Sequence, residues 1–300
     1  MSLRAARPIA VTRALLRRLP LPRPDEESDK DDRGRVLVVG GSAQVAGAVL
    51  LAGVAALRAG AGKLQLATVA SAAPPMGMAV PEALVVGLPQ ARTGEIAGSR
   101  AHGAFTGHVA NTDALLVGPG MSSERAAHAL LAPLVRRLGD DAVLVLDAAA
   151  ILALAHDDEL LRPLDGRAVI TPHAGEMASL LEIDKREVER DPARIARMAA
   201  ERFGAVVALK GAETYVAEPA GPLYRYAGGS VGLATSGSGD TLAGIVAGLA
   251  ARGAPPTTAT VWATYLHGAA GRQLARRLGP IGFLARELLD ELPSLLRRLG

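Results

Sequence analysis

Residues 36–62 read VLVVGGSAQVAGAVLLAGVAALRAGAG, and the parsing of this stretch decides the fold class. No residue from Val36 to Leu57 carries a charge, and about twenty apolar residues is the length of a membrane-spanning helix. The interior speaks against a span. Val36 to Val39 is a short run suited to a strand, Gly40-Gly41-Ser42 breaks it, and Gly47 to Leu57 resumes with helical spacing. Strand, glycine turn and helix form the opening of a βα unit. Arg58-Ala59-Gly60-Ala61-Gly62 ends the helix, and Lys63 to Thr68 reads as the next strand.

The alternation continues downstream. Strands are expected at Ala83 to Val86, Ala114 to Val117, Val143 to Leu146, Ala168 to Ile170 and Ala205 to Leu209. Helices are expected over 123–138, from Asp147 to about Leu154, around Met177 to Leu181 and over 192–203. Thr214 to Ala217 and Leu223 to Tyr226 flank Pro219-Ala220-Gly221-Pro222 and read as a hairpin. Helices at Val261 to Leu278 and Phe283 to Leu299, the last interrupted at Pro293, complete the chain. No repeat and no linker divides it. The expected fold is α/β, a mostly parallel central sheet with helices on both faces.

Residues 1–34 read as an N-terminal extension, and 35–300 as one catalytic domain. The extension holds a short helix from Val11 to Leu19, with Leu15, Leu16 and Leu19 on one face and Pro20, Pro22 and Pro24 stopping it. A charge run, Asp25 to Arg33, follows as a solvated loop. The basic start has the flavour of a transit peptide, but no long apolar core or small-residue cleavage site follows it.

Composition narrows the chemistry. The 300 residues include no cysteine, so disulfides, thiolate zinc sites and a cysteine nucleophile are excluded. Such a chain suits a reducing compartment, and a cytoplasmic location is expected. A formal net charge of +3 and 3% aromatics give little for nucleic acid to bind or stack on. Neither a nucleic-acid nor a membrane partner is expected.

The chemistry-bearing residues cluster by position. Gly40-Gly41, Gly118-Pro119-Gly120, Asp147, His173 and Lys210 all fall just after strands. In open α/β sheets ligands bind beyond the carboxyl ends of the strands, so these residues should gather on one edge. Each alone has a plainer reading, as a turn, a surface charge or a structural histidine. Their shared placement is the argument. The stretch 228–253, GGSVGLATSGSGDTLAGIVAGLAARG, adds a loop of small residues that empties into a helix near Thr241, ended by Gly253 and Pro255. Its uncapped amides and positive dipole suit an anion. Asp240 at that mouth is read in two ways. It is an N-cap serving one orphan amide, or a base beside a transferring phosphoryl group. A carboxylate placed in an anion site is better explained by the second.

Five stretches stand out: 36–62, LLVGPGM (115–121), VITPHAGEM (169–177), VALKGAET (207–214) and GLATSGSGDTLAGIVAGLAARG (232–253). Together they resemble the ADP-dependent NAD(P)H-hydrate dehydratase family, which is built on the ribokinase-like fold. The resemblance implies a carbon–oxygen lyase that repairs hydrated NADH or NADPH. ADP phosphorylates the ring hydroxyl of the S epimer, and elimination then gives NAD(P)H, AMP and phosphate. By the same resemblance Asp240 takes the hydroxyl proton and contacts the hydrate, and Ala48, Gly120 and His173 contact the hydrate with it. Lys210, Gly211, Ala212, Glu213, Thr214 and Gly239 face the nucleotide, and Gly237, Ser238 and Gly239 form an anion hole. Magnesium on the phosphates is implied, although no residue is assigned to it. A separate NAD(P)H-hydrate epimerase as functional partner and a homo-oligomer, a tetramer among the options, are also implied.

Departures are visible. Asp147-Ala148-Ala149-Ala150 stands where the family commonly has Asp-Ala-Asp-Ala, and Gly229-Ser230-Val231-Gly232 replaces a Gly-Asn-Pro-Gly run. Val45 replaces a frequent aromatic. Two alternatives remain at this level: an ATP-dependent kinase of the same fold acting on a vitamin-precursor alcohol, and a non-catalytic nucleotide-binding protein.

Overall fold

The computed structural model describes residues 7–23 and 29–299. The calls on Pro24 and on Asp25 to Ser28 of the charge run lie outside the described residues. In chain order the elements are β1 (Ile9–Ala10), α1 (Arg13–Arg18), β2 (Arg35–Val39), α2 (Gly47–Arg58), β3 (Lys63–Val69), α3 (Ala73–Ala79), β4 (Ala83–Leu88) and α4 (Gly98–Val109). Then come β5 (Ala114–Val117), α5 (Glu124–Val135), β6 (Val143–Leu146), α6 (Ala149–Leu152), β7 (Ala168–Ile170), α7 (Ala174–Leu181), α8 (Lys185–Arg190) and α9 (Pro192–Phe203). The chain closes with β8 (Val206–Leu209), β9 (Thr214–Ala217), β10 (Leu223–Tyr226), α10 (Ser238–Ala251), α11 (Pro256–Leu278) and α12 (Ala285–Leu299).

The strands form one sheet in the order β1-β10-β9-β8-β7-β6-β5-β2-β3-β4. Neighbours are parallel except where β9 turns back against β8 and β10. The predicted hairpin is therefore the one antiparallel insertion among the described strands. Successive residues of a strand face opposite sides of a sheet. Accordingly Val36 and Val38 enter one apolar core, with α2, α10, α11 and α12. Leu37 and Val39 enter the other, with α4, α5, α7 and α9. Burial on both faces explains why 36–39 shows no alternation of polarity.

The order reverses at β2. The chain goes from β2 outward through β3 and β4, then returns to place β5 on the other side of β2. This is the switch point at which a crevice opens beyond the strand ends. The two glycine turns meet there: Gly41 N donates to Pro119 O at 2.7 Å. A Cβ at Gly40 would overlap that same carbonyl, so glycine is required for the close approach.

Helices α2 and α10 lie side by side in parallel. A Cβ at Gly244 would collide with the Ala52 backbone and one at Gly248 with the Ala56 backbone. The two helices share this register over consecutive turns.

Several expectations change in the structure. The central helix starts at Ser238 rather than near Thr241, with Gly237 as N-cap at φ +87°. Asp240 is thus the third helical residue and not the cap, because the positive-φ turn comes earlier at glycine. Pro293 does not interrupt the last helix, which runs through it from Ala285 to Leu299. Leu288, Leu289, Leu292 and Leu295 are buried around the proline, and that burial outweighs one lost backbone bond. Helices α3, α4 and α8 were not expected. The segment before Gly34 also joins the main body: β1 pairs with β10, and Val11, Leu15 and Leu16 enter the first core.

Candidate active site

The site is assembled at the carboxyl edge of the sheet, as expected for strands of this polarity. A cleft of about 770 Å³ runs between the loop after β8, the loop before α10, and α11. Lys210, Gly211, Ala212 and Thr214 line one wall, Ser238 and Gly239 its floor, and Thr264 and His267 the opposite wall. His173 stands at the rim.

Lys210 lies between strand and turn because its amide continues the parallel pairing, donating to Pro172 O at 2.8 Å. That bond also brings His173 and Lys210 into register as an isolated bridge. The ammonium reaches across to Asp147, with Nζ 3.0 Å from Oδ1. Thr171 Oγ1 donates to the same oxygen at 2.7 Å. Asp147 is buried at 4% exposure, so an unpaired charge there would be costly. Burial alone would lower the pKa of Lys210, but the negative charges of Asp147, Glu176 and Asp240 more than reverse it. These carboxylates favour the charged form of Lys210 at the head of the cleft.

Asp147 is held by a strained turn. Ala148 adopts φ +50°, a region a side chain rarely enters. Directly beneath it, a Cβ at Gly118 would overlap the Asp147 carbonyl oxygen. Gly118-Pro119-Gly120 is therefore more than a turn: Gly118 accepts the backbone that carries the carboxylate.

Asp240 stands in the first turn of α10, which has no side-chain cap. A helix start would normally keep a carboxylate ionised. Burial instead pushes its pKa up to about 6, helped by the Asp147 charge and opposed by Lys210. Desolvation and a second carboxylate outweigh the helix dipole here. A carboxyl group with such a pKa can take and return a proton near neutral pH.

Gly120 and Ala48 meet on the switch-point side. A Cβ at Gly120 would lie 3.0 Å from that of Ala48 and would overlap the Val45 carbonyl, and φ is +71°. His173 caps α7, its Nδ1 accepting from Gly175 N at 3.0 Å and Glu176 N at 3.1 Å. Glu176 returns the bond, Oε2 accepting from His173 N at 2.8 Å. In that reciprocal capping box Nε2 lies 3.7 Å from Glu176 Oε1, on a side chain that is 60% exposed.

Of the expected residues, Ala48, Gly120, Glu213, Gly237 and Asp240 do not line this cleft. Glu213 pairs with Arg225 of β10 and accepts from Tyr215 OH at 3.1 Å. The hairpin sets alternate residues on opposite faces, so Glu213 is turned away from the phosphate side. Gly237 is also set back, with Leu51 and Ala285 closing around it. Residues missed in the sequence are His267, Thr264, Tyr226 and Glu176. His267 lies mid-helix among apolar residues, with no local motif to mark it. Glu176 was legible as the last letter of the TPHAGE box but was given no role.

Against this geometry, the model of a known family, described as NAD(P)H-hydrate dehydratase, matches residues 36–294. The chain belongs to the NAD(P)H-hydrate dehydratase family. It is similar to the ADP-dependent (S)-NAD(P)H-hydrate dehydratase of Xanthomonas campestris, with 53% identity over 96% of each chain. It is 41% identical to the bifunctional NAD(P)H-hydrate repair enzyme Nnr of Moorella thermoacetica over 94% of its own length. The chain spans about half of that relative, 53% of it. Among solved structures, the ADP/ATP-dependent NAD(P)H-hydrate dehydratase of Bacillus subtilis, co-crystallised with ATP and Mg²⁺, superposes with a TM-score of 0.78. It is 28% identical, covering 99% of this chain and all of that one. The dehydratase family fold is ribokinase-like, in agreement with the sheet described above. Among the described residues no helix is long and apolar enough to cross a membrane, as the parsing of 36–57 requires.

Proposed function

We propose that this protein dehydrates the S epimer of hydrated NADH or NADPH with ADP as phosphoryl donor. The observation that carries the reading is the shared position of three groups: a cation (Lys210), the free first-turn amide of Gly239 and a carboxyl group titrating near neutrality (Asp240).

The nucleotide lies in the cleft, its phosphates against Lys210 and the first turn of α10, with Gly211, Ala212 and Thr214 beside it. The hydrate lies in the switch-point crevice against Ala48 and Gly120, with His173 at the rim. Asp240 faces both. It takes the proton from the ring hydroxyl as that oxygen bonds to the β-phosphorus of ADP. The bond from that phosphorus to the AMP oxygen breaks, and AMP leaves. Hydroxide is a poor leaving group and phosphate a good one. The ring-nitrogen lone pair then expels phosphate, and the neighbouring ring carbon loses a proton to restore the dihydropyridine. Glu213 takes no part in this arrangement, since Arg225 and Tyr215 hold it elsewhere.

Among the described residues no three acidic or histidine side chains gather as a metal cage. That suits magnesium carried by the nucleotide, which needs one or two carboxylates and keeps its waters. Asp147 and Glu176 are the carboxylates on hand. Magnesium, when bound, neutralises charge on the phosphates. A separate epimerase supplies the S epimer from the R form, and a homo-oligomer is the assembly we expect.

The test is direct. Purified protein with ADP or ATP and hydrated NADH should restore dihydronicotinamide absorbance with matching release of phosphate. A stable phosphate ester without that absorbance would replace the reading with a kinase. Nucleotide binding with neither product would leave a binding protein.

A further inference from the structure

Three hydroxyls on α10 and α11 satisfy themselves within their own helix. Thr241 Oγ1 donates to Gly237 O at 3.0 Å, Thr260 Oγ1 to Pro256 O at 2.7 Å, and Thr264 Oγ1 to Thr260 O at 2.8 Å. Ser238 cannot do so. It is the first residue of α10, so the carbonyl four positions back lies outside the helix. Its hydroxyl is instead bridged across the cleft to α11, with Oγ 2.9 Å from His267 Nε2. Among the described residues neither side chain bonds a further side chain, and the imidazole also meets the Ser238 backbone. Both line the cleft beside Lys210 and Gly239.

We propose that His267 is a positioning residue: its neutral imidazole donates Nε2–H to Ser238 Oγ and so turns the Ser238 hydroxyl hydrogen toward the transferred phosphoryl group. The inference rests on the nucleotide-binding reading of the cleft. A hydroxyl has a single hydrogen to give. If it were spent on the imidazole, a lone pair of Oγ would face the anion. The other tautomer leaves that hydrogen free, and it is the one that an anion at a helix start selects. Burial keeps the His267 pKa down at about 4 against the opposing hydrogen bond to the Ser238 backbone, and Lys210 pushes it down as well, so the ring stays neutral at working pH. Its contribution is therefore direction and not charge. The Ser238 amide is already spent on Thr235 O at 3.2 Å, so the hydroxyl is what Ser238 can add beside the Gly239 amide, fixed before the substrate arrives.

The test compares wild type with His267→Gln, His267→Leu, Ser238→Ala and the His267→Leu/Ser238→Ala pair. Calorimetry measures ADP and AMP affinity, and turnover is followed with hydrated NADH. Only ADP carries the phosphoryl group that the hydroxyl would meet. His267→Leu and Ser238→Ala should each weaken ADP binding or turnover roughly 10- to 100-fold, as for a hydrogen bond to a charged group, with AMP affinity unchanged. The double variant should be no worse than Ser238→Ala. His267→Gln, which places an amide donor near Nε2, should recover most of the loss. Additive losses, equal losses of AMP and ADP affinity, or no rescue by glutamine would overturn the proposal. Wild type that binds neither nucleotide would overturn the underlying reading instead, before any variant is compared.

Discussion

Lys210 Nζ stands 3.0 Å from Asp147 Oδ1, with the lysine side chain 18% exposed and the aspartate 5%. The cation at the head of the cleft is thus also the counter-charge of a buried carboxylate. Its two duties cannot be separated by deleting it.

Lys210→Ala should therefore cost stability as well as nucleotide affinity. Removing one partner of a buried pair leaves an uncompensated charge, typically worth about 3 kcal/mol. Adding Asp147→Asn should restore much of the melting temperature but none of the ADP affinity. A Lys210→Ala protein that melts like wild type would show Asp147 to be solvated.

Asp240→Asn should lower turnover by about 10²–10⁴-fold, the usual contribution of a positioned base. In wild type the rate should climb as pH rises through about 6, where Asp240 ionises. Stability should run the other way. The folded pKa lies above the ordinary 3.8, so its stabilising protonated form is lost as pH rises through about 6. Asp240→Asn should then melt higher than wild type at pH 7.5. A lower melting temperature with near-normal turnover would restore the capping role.

Gly239→Ala should separate helix stability from binding. An added Cβ would lie 3.2 Å from Lys210 Nζ, the mobile end of a long side chain. Alanine is better than glycine in a helix by about 0.5–1 kcal/mol. The variant should fold as well as wild type or better, yet bind ADP less tightly because Lys210 is displaced. Unchanged calorimetric affinity would remove Lys210 from the phosphate side.

Ala149→Asp should destabilise and give no gain in rate. Ala149 is 5% exposed and belongs to the apolar core on that face of the sheet. A carboxylate there would be buried close to Asp147 without a partner, at a cost of roughly 2 kcal/mol or more. Thermal melts and magnesium titrations of both proteins check this. Higher turnover with tighter magnesium dependence would show that the loop still accepts the charge.

Much of the layout was legible because it is local. The run 36–39, the glycines after it and the helical spacing beyond need only nearest neighbours to be read. The hairpin of β9 and β10 carried its own turn residues. Helix α4 was missed because His102, Gly103, Thr106, Gly107 and His108 dilute its apolar pattern. Only packing of Ala101, Phe105 and Val109 into the core makes it a helix. β1 was missed for a similar reason, since two residues form a strand only when β10 is beside them.

The sequence by itself determined the alternation of strand and helix, the single edge where the glycine turns gather, and the candidate base at the end of the small-residue loop. Strand polarity and chain connectivity force those outcomes. Tertiary structure alone decided that Asp240 is the third helical residue with a pKa near 6, that Lys210 is shared with Asp147, that Glu213 turns away to Arg225, and that His267 reaches Ser238. These depend on burial and on contacts between residues 12 to 63 positions apart. Desolvation and Coulomb energies are set by distance in space, which no spacing along the chain encodes.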